Sequence, residues 1–202
     1  MKKVLPLILL FTLIFCTAVP ASATNLDPYA DPNGNIHIVD EVIPSDKIVF
    51  SGSEININTT VDSLLVAFGR NITLDGEYNG DVIIFGENIT LLGQFNENVY
   101  CFSQSIAINS NNSGSVYNFS GTLTTKANIE KDFCSFSDTA IIEQGANLNR
   151  DLFLFANTLD FMGNLGRNLN YYGGALNVSG SVMGNINAMS DTFNINDGAS
   201  IE

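Results

Sequence analysis

The sequence predicts an all-β chain wound into a single-stranded parallel β-helix of about nine coils, each about seventeen residues long. Three observations predict it. The segment Gly80 to Leu91 reads Gly-Asp-Val-Ile-Ile-Phe-Gly-Glu-Asn-Ile-Thr-Leu, and seventeen residues earlier Ser63 to Leu74 follow the same pattern. Apolar residues recur at a spacing of two within each cluster, and nothing recurs at the 3.6 spacing of a helix. Of the 202 residues 17 are Gly and none is Trp, and Asn, Ser and Thr alternate with Ile, Leu, Val and Phe, the composition of short strands between tight turns.

Taken in chain order, residues 1–23 read as a signal peptide. Lys2 and Lys3 precede an apolar stretch from Val4 to Val19, and Ala21-Ser22-Ala23 supplies the small residues of a cleavage site. The stretch is shorter than the ~20 residues that span a bilayer, which argues against a retained anchor. Cys16 follows Leu13-Ile14-Phe15, which lacks the small residues of a lipidation site. No comparable apolar run follows Ala23, so no transmembrane segment is expected after processing, and the location implied is secreted or extracytoplasmic.

Residues 24–46 precede the repeat and read as a linker or N-terminal cap. Asp27-Pro28, Asp31-Pro32 and Asn33-Gly34 are turn signals, and Ile36-His37-Ile38-Val39 is a lone strand placed to fold back over the first coil.

Residues 47–202 hold the repeat. Coils start at Lys47, Leu64, Asp81, Asn98, Ser115, Asp132, Asp151, Asn168 and Asn185, every interval being seventeen except the nineteen from Asp132 to Asp151. An insertion of two residues near Gly145 to Asn147 accounts for the exception. One residue after each start stands an unbroken apolar column: Ile48, Leu65, Val82, Val99, Val116, Phe133, Leu152, Leu169, Ile186. Four after it come Ser51, Phe68, Phe85, Phe102, Phe119, Phe136, Phe155, Tyr172 and Met189, followed by small residues such as Gly69, Gly86, Ser103 and Ser120. Further apolar columns run through Ile72 and Ile89, through Leu74 and Leu91, and through Tyr78 and Phe95, with Asn112 a polar exception in the last. Three apolar clusters per coil describe a roughly triangular circuit whose strands stack at about 4.8 Å. In this register the Phe column is expected to be a buried aromatic ladder, with the small residue beside it turning the corner.

Two further columns fall between these. Two after each start stand Val49, Val66, Ile83, Tyr100, Tyr117, Cys134 and Phe153, and three after it Phe50, Ala67, Ile84, Cys101, Asn118, Ser135, Leu154 and Tyr171. Neighbouring strand residues point to opposite faces, so one column is expected outside as an apolar stripe, with Tyr100 and Tyr117 as assembly-interface residues unless residues 24–46 cover them. Cys101 and Cys134 lie two rungs apart, about 9.6 Å, beyond the ~7 Å that a disulfide bridges, so both are expected free.

Composition narrows the chemistry. Removing Lys2 and Lys3 with the signal leaves six basic residues against 21 acidic ones, a formal charge of −15. Such a chain repels phosphate backbones and anionic headgroups, so nucleic acid is excluded as a partner. His37 is the single histidine and lies outside the coils, which removes the His-dependent acyltransferase and zinc chemistry that some solenoids host. Asp81, Asp132 and Asp151 share the start column, but Asn98 and Ser115 interrupt it, and carboxylates at turns serve as local hydrogen-bond acceptors. Asp27 and Asp31 read as turn residues ahead of a calcium pair, and the Gly-Gly-x-Gly-x-Asp calcium repeat is absent. Asn-x-Ser/Thr at Asn58, Asn71, Asn88, Asn111, Asn118 and Asn177 follows from the strand-start pattern before it signals glycosylation. No catalytic residue, cofactor or metal is expected, and the chain reads as a non-enzyme.

The unit Gly80-Asp81-Val82, Phe85-Gly86, Asn88-Ile89-Thr90-Leu91 and Gly93, recurring over residues 47–202, resembles the bactofilins, polymer-forming bacterial cytoskeletal proteins. The resemblance implies a right-handed parallel β-helix that forms filaments without a nucleotide. Those proteins are cytosolic, so the export signal makes this chain similar to an extracytoplasmic relative; no individual residue carries over by motif. The function implied is a self-assembling scaffold of the bacterial cell envelope, a homopolymer extended by stacking of β-helix ends. The final coil runs from Asn185 to Ile201 with nothing after Glu202 to cap it, which nominates Phe193, Ile195 and Ile201 as end-interface residues. The alternative is a secreted binding module or adhesin that recognises a glycan or a cell-envelope protein.

Overall fold

The structure, a computed structural model, describes residues 29–46 and 48–202. The described residues contain strands and no helix. In chain order the strands are β1 (Ile36–Val39), β2 (Val49–Asn58), β3 (Thr60–Val61), β4 (Leu65–Leu74), β5 (Glu77–Tyr78), β6 (Val82–Leu91), β7 (Gln94–Phe95), β8 (Val99–Ile108), β9 (Asn111–Asn112) and β10 (Val116–Thr125). They continue with β11 (Asn128–Ile129), β12 (Phe133–Ile142), β13 (Asn147–Leu148), β14 (Leu152–Phe161), β15 (Asn164–Leu165), β16 (Leu169–Val178), β17 (Ser181–Val182), β18 (Ile186–Ile195) and β19 (Ser200–Ile201).

Each coil is thus one strand of ten residues followed by one of two. The long strands stack with β1 into a ten-stranded sheet, and the short ones into a nine-stranded sheet. The paired strands of both sheets run parallel, and the register is the repeat itself: Val82 pairs with Val99, Phe85 with Phe102, and Phe133 with Leu152 across the longer interval. The two extra residues form a turn over Glu143–Ala146, where the Ala146 N–H donates to the Glu143 carbonyl at 3.1 Å and Gly145 takes φ +94°. Glycine adopts that conformation without the strain a side chain brings.

Burial fixes which columns face inward. Along β6 and β10 the first, third, fifth, eighth and tenth residues are buried and the sixth and seventh both face out. Two consecutive outward residues shift the alternation by one, which bends the ten-residue strand into two sides of the coil. The first two apolar columns were expected to share the interior, and the structure corrects this. Position one faces in, so position four faces out, and the aromatic ladder from Phe68 to Tyr172 lies on the surface. The third column, through Ala67, Ile84, Cys101 and Leu154, takes the interior instead.

The small residues of the fifth column also have a different reason from the one expected. Gly69 and Gly86 are not among the glycines with positive φ. They face inward at the bend, where a Cβ on Gly69 would stand 2.9 Å from the Gly52 carbonyl and 3.1 Å from Ile72 Cγ1. Crowding inside the corner selects a small side chain there.

The core is a column of stacked Ile, Leu, Val and Phe with two kinds of polar insert. Several buried hydroxyls and amides close on the backbone or on each other: Tyr78 donates to the Ile57 carbonyl at 2.7 Å, Thr125 to that of Ile108 at 2.8 Å, and Asn112 to Ser110 Oγ at 2.9 Å, while the Ser103 and Ser137 hydroxyls are buried without a partner. Asn118, wholly buried, donates to both Ser120 Oγ and Ser135 Oγ at 2.9 Å. An inward amide in two hydrogen bonds is not a glycan acceptor, which removes Asn118 from the sequons. The thiols are free: Cys101 points inward and Cys134 outward, and burial pushes both above the ordinary thiol range.

The lone strand before the repeat is a real layer. β1 adds to β2 with Ile36 over Ile55 and Ile38 over Ile57, and both isoleucines are buried. Ala30 bridges to Ile36, Tyr29 packs on Phe50 with ring centroids 6.1 Å apart, and Ile43 joins the core. Residues 29–46 therefore close the first coil at its edge. Residues 1–23, read above as a signal peptide, lie outside the described residues.

Candidate functional site

Two surfaces depart from what a solvated solenoid needs: the outward face of the first half of each long strand, and the last coil.

The lateral face follows from strand parity. The second and fourth residues of each strand after the coil start project outward, so Val66, Ile83, Tyr100, Tyr117, Cys134 and Phe153 form one column beside the Phe column. Along the latter, ring centroids from Phe68 through Phe85, Phe102, Phe119, Phe136 and Phe155 to Tyr172 are 5.0, 4.7, 5.0, 5.1, 4.6 and 5.0 Å apart, with planes within 12° of parallel. Tyr100 stacks on Tyr117 at 5.0 Å and 7°. Both tyrosines thus lie where an outward column was expected, and burial with the Asp81 carboxylate raises the Tyr100 phenol above its usual range. The rings are half-buried or exposed. Because every ring lies face to face on its neighbours, it shows the outside an edge.

Residues 29–46 do not cover this face, since β1 sits on the edge of β2 and pairs with the Ile55–Asn58 half of that strand. The Phe column is the feature that sequence reasoning misplaced. Its signal was the small inward column beside it: the inside of a bend needs Gly, Ser or Ala, so the preceding residue must look out.

The last coil is the second surface. Phe193, Ile195 and Ile201 occupy columns that face inward elsewhere, and they are 44%, 57% and 43% exposed, whereas Leu176, Val178 and Val182 one coil earlier are at 0%. The expected end residues thus lie together in the last described layer, some coils away from Tyr100 and Tyr117.

The polar residues considered for chemistry are spent on the ladder. Asp81 accepts from the Asn98 N–H at 3.0 Å and Asp151 from the Asn168 N–H at 3.0 Å, so the start column ties each coil to the next. Asp132 and Asp151 also pair with Arg150 at 3.5 Å and Arg167 at 3.6 Å. Asn128 donates to Asn111, Asn147 to Asn128 and Asn164 to Asn147 at 2.8, 2.8 and 3.0 Å, an exposed amide ladder. Asp31 accepts N–H bonds from Asn33 and Asn35 at 2.8 and 2.9 Å, and the Asn35 bond leads in holding its carboxyl below the usual range. That is a turn, and Asp27, its expected neighbour, lies outside the described residues. Among the described residues no group of three or more His, Cys, Asp or Glu is placed to hold a metal, and no helix is long and apolar enough to cross a membrane. Comparison with protein-family models, with curated proteins and with solved structures finds no match to this chain.

Proposed function

We propose that the protein is a non-enzymatic, self-assembling scaffold of the bacterial cell envelope, exported by residues 1–23 and joined end to end through its last coil. The observation that supports the reading is the stacking register, in which each coil presents the same inward columns to the next, as Leu176, Val178 and Val182 do to Phe193, Ile195 and Ile201. The outer edges of β18 and β19 pair with no further strand among the described residues. An open sheet edge over an apolar cross-section is a template for another strand layer, and a second copy of the same coil supplies one of matching shape. β1 covers the opposite end, so the contact joins two last coils, tail to tail, and extension beyond that pair needs a second contact. Asp191, Asp197 and Glu202 lie beside it and oppose it by charge repulsion, which salt screens.

The second reading is a secreted binding module or adhesin that recognises a glycan, supported by the exposed amide ladder of Asn111, Asn128, Asn147 and Asn164. It is the weaker one on chemical grounds. The amides already donate along the column, and sugar rings stack on aromatic faces, which the Phe column turns toward one another.

Light scattering of residues 24–202, which include every described coil, tests the scaffold reading. Assembly is expected to strengthen as salt rises and to be lost with Phe193→Asp plus Ile195→Asp. A wild type that stays monomeric at high concentration and moderate salt would overturn it.

A further inference from the structure

From Val66 to Tyr172 the two outward columns of the lateral face hold no charged side chain. The chain as a whole carries 21 acidic residues against 8 basic. Seven layers at ~4.8 Å make the face ~34 Å long, and the two columns together with the charged corner beside them, six residues of chain, make it ~20 Å wide. That is ~700 Å² per copy, or ~1,400 Å² for a pair, inside the ~1,200–2,000 Å² of a stable protein interface. A stripe of this size on an acidic rod needs a partner that is itself uncharged along a matching line, and the ~4.8 Å period is met by another copy of the same ladder.

Charge at the corner bordering the stripe selects the orientation. Beside the rings of Phe68, Phe85 and Phe102 this corner carries Asp62, Asp81 and Glu97. Beside Phe136, Phe155 and Tyr172 it carries Lys131, Arg150 and Arg167, together with Glu130, Asp132 and Asp151. One half is purely acidic, and the other holds the basic residues in balance with its own acids. Two rods packed face to face and antiparallel bring the acidic half of each against the charge-balanced half of the other, with Lys131 opposite Glu97, Arg150 opposite Asp81 and Arg167 opposite Asp62. The two-fold axis then passes through the layer of Tyr117 and Phe119.

We infer that two copies of this chain pair antiparallel through the aromatic face, about a two-fold axis at Tyr117. The inference goes beyond end-to-end joining and stands without it. It also completes that reading: an antiparallel pair carries one open coil at each end, so joining through last coils extends it without limit, whereas a single rod closed by β1 stops at two.

Residues 24–202 carrying Phe193→Asp and Ile195→Asp, which blocks end contacts, test the pairing apart from the scaffold reading. Sedimentation equilibrium is expected to give a dimer. The outward Cys134 thiol is expected to react with a maleimide at least ~10-fold more slowly at dimer-forming than at nanomolar concentration, the slowing that full exclusion from an interface produces. With a bismaleimide that spans the ~10 Å between packed sheets, Tyr117→Cys in a Cys134→Ser background is expected to give a cross-linked dimer, because the axis sets that position against its own copy. Phe153→Cys in the Cys134→Ser background is expected to stay unlinked, its copies lying four layers, ~19 Å, apart. A monomer at all concentrations with unchanged thiol reactivity would overturn the pairing and leave the face to a glycan or another protein. Linkage through Phe153→Cys as efficient as through Tyr117→Cys would overturn the antiparallel register.

Discussion

Replacing Phe119 by Ala, and separately Phe133 by Ala, tests where the aromatic ladder lies. The two residues sit in adjacent layers, β10 and β12, so fraying of either end affects them equally. Phe119 is half-buried and outward, with Phe102 at 5.0 Å and Phe136 at 5.1 Å. Truncation removes two stacking contacts, each about 0.5–1.5 kcal/mol, and water fills the gap, so the expected loss is about 1–3 kcal/mol. Phe133 is wholly buried, and its truncation leaves a cavity that the parallel sheets cannot collapse, costing about 3–5 kcal/mol. The expected difference is about 2 kcal/mol, or about 1 M in the urea midpoint for a slope near 2 kcal/mol/M. The measurement is urea unfolding of residues 24–202 in the Phe193→Asp, Ile195→Asp background, which removes end-to-end assembly. It is run at a protein concentration low enough to keep lateral pairing out of the stability. Equal midpoints would refute the outward placement, because a ring facing water cannot leave a cavity.

Two further outcomes follow from the same burial. At nanomolar concentration and without denaturant one thiol, Cys134, is expected to be alkylated and Cys101 to react only on unfolding, with the intact mass showing both reduced; two equally reactive thiols would contradict the register. Burial raises the thiol of Cys101 and the phenols of Tyr78 and Tyr171, the last to about 12. A group whose folded pKa is raised contributes stability that is full below its unfolded value and lost as pH rises toward the folded one. The urea midpoint is therefore expected to hold to about pH 9 and to fall from there to about pH 12, and a midpoint flat across that window would refute the burial of these groups.

How much of this was legible beforehand differs by residue. The step of seventeen, the start points of the coils and the turn at Gly145 were readable because parallel stacking sets like residues over like, so the sheet's register is written as a sequence period. Phe193 and Ile195 were readable for the same reason, as members of the columns through Leu176 and Val178. Ile36 and Ile38 read as a strand near the first coil, but only the structure shows them in the register of Ile55 and Ile57.

What tertiary structure alone decided is direction. The columns through Leu65, Val66, Ala67 and Phe68 are all apolar, so hydrophobicity does not say which pair faces in. In a strand the answer depends on one bit, the parity at the bend, and a shift of one residue exchanges the whole interior for the whole surface. The bend between the fifth and eighth residues sets that bit by placing Gly69, Gly86 and Ser103 on the crowded inner corner, which sends Phe68, Phe85 and Phe102 outward. Sequence alone therefore determined the period and the start of each coil. Packing at the corner decided that its aromatic ladder belongs to the surface, because only there do neighbouring layers compete for the same space.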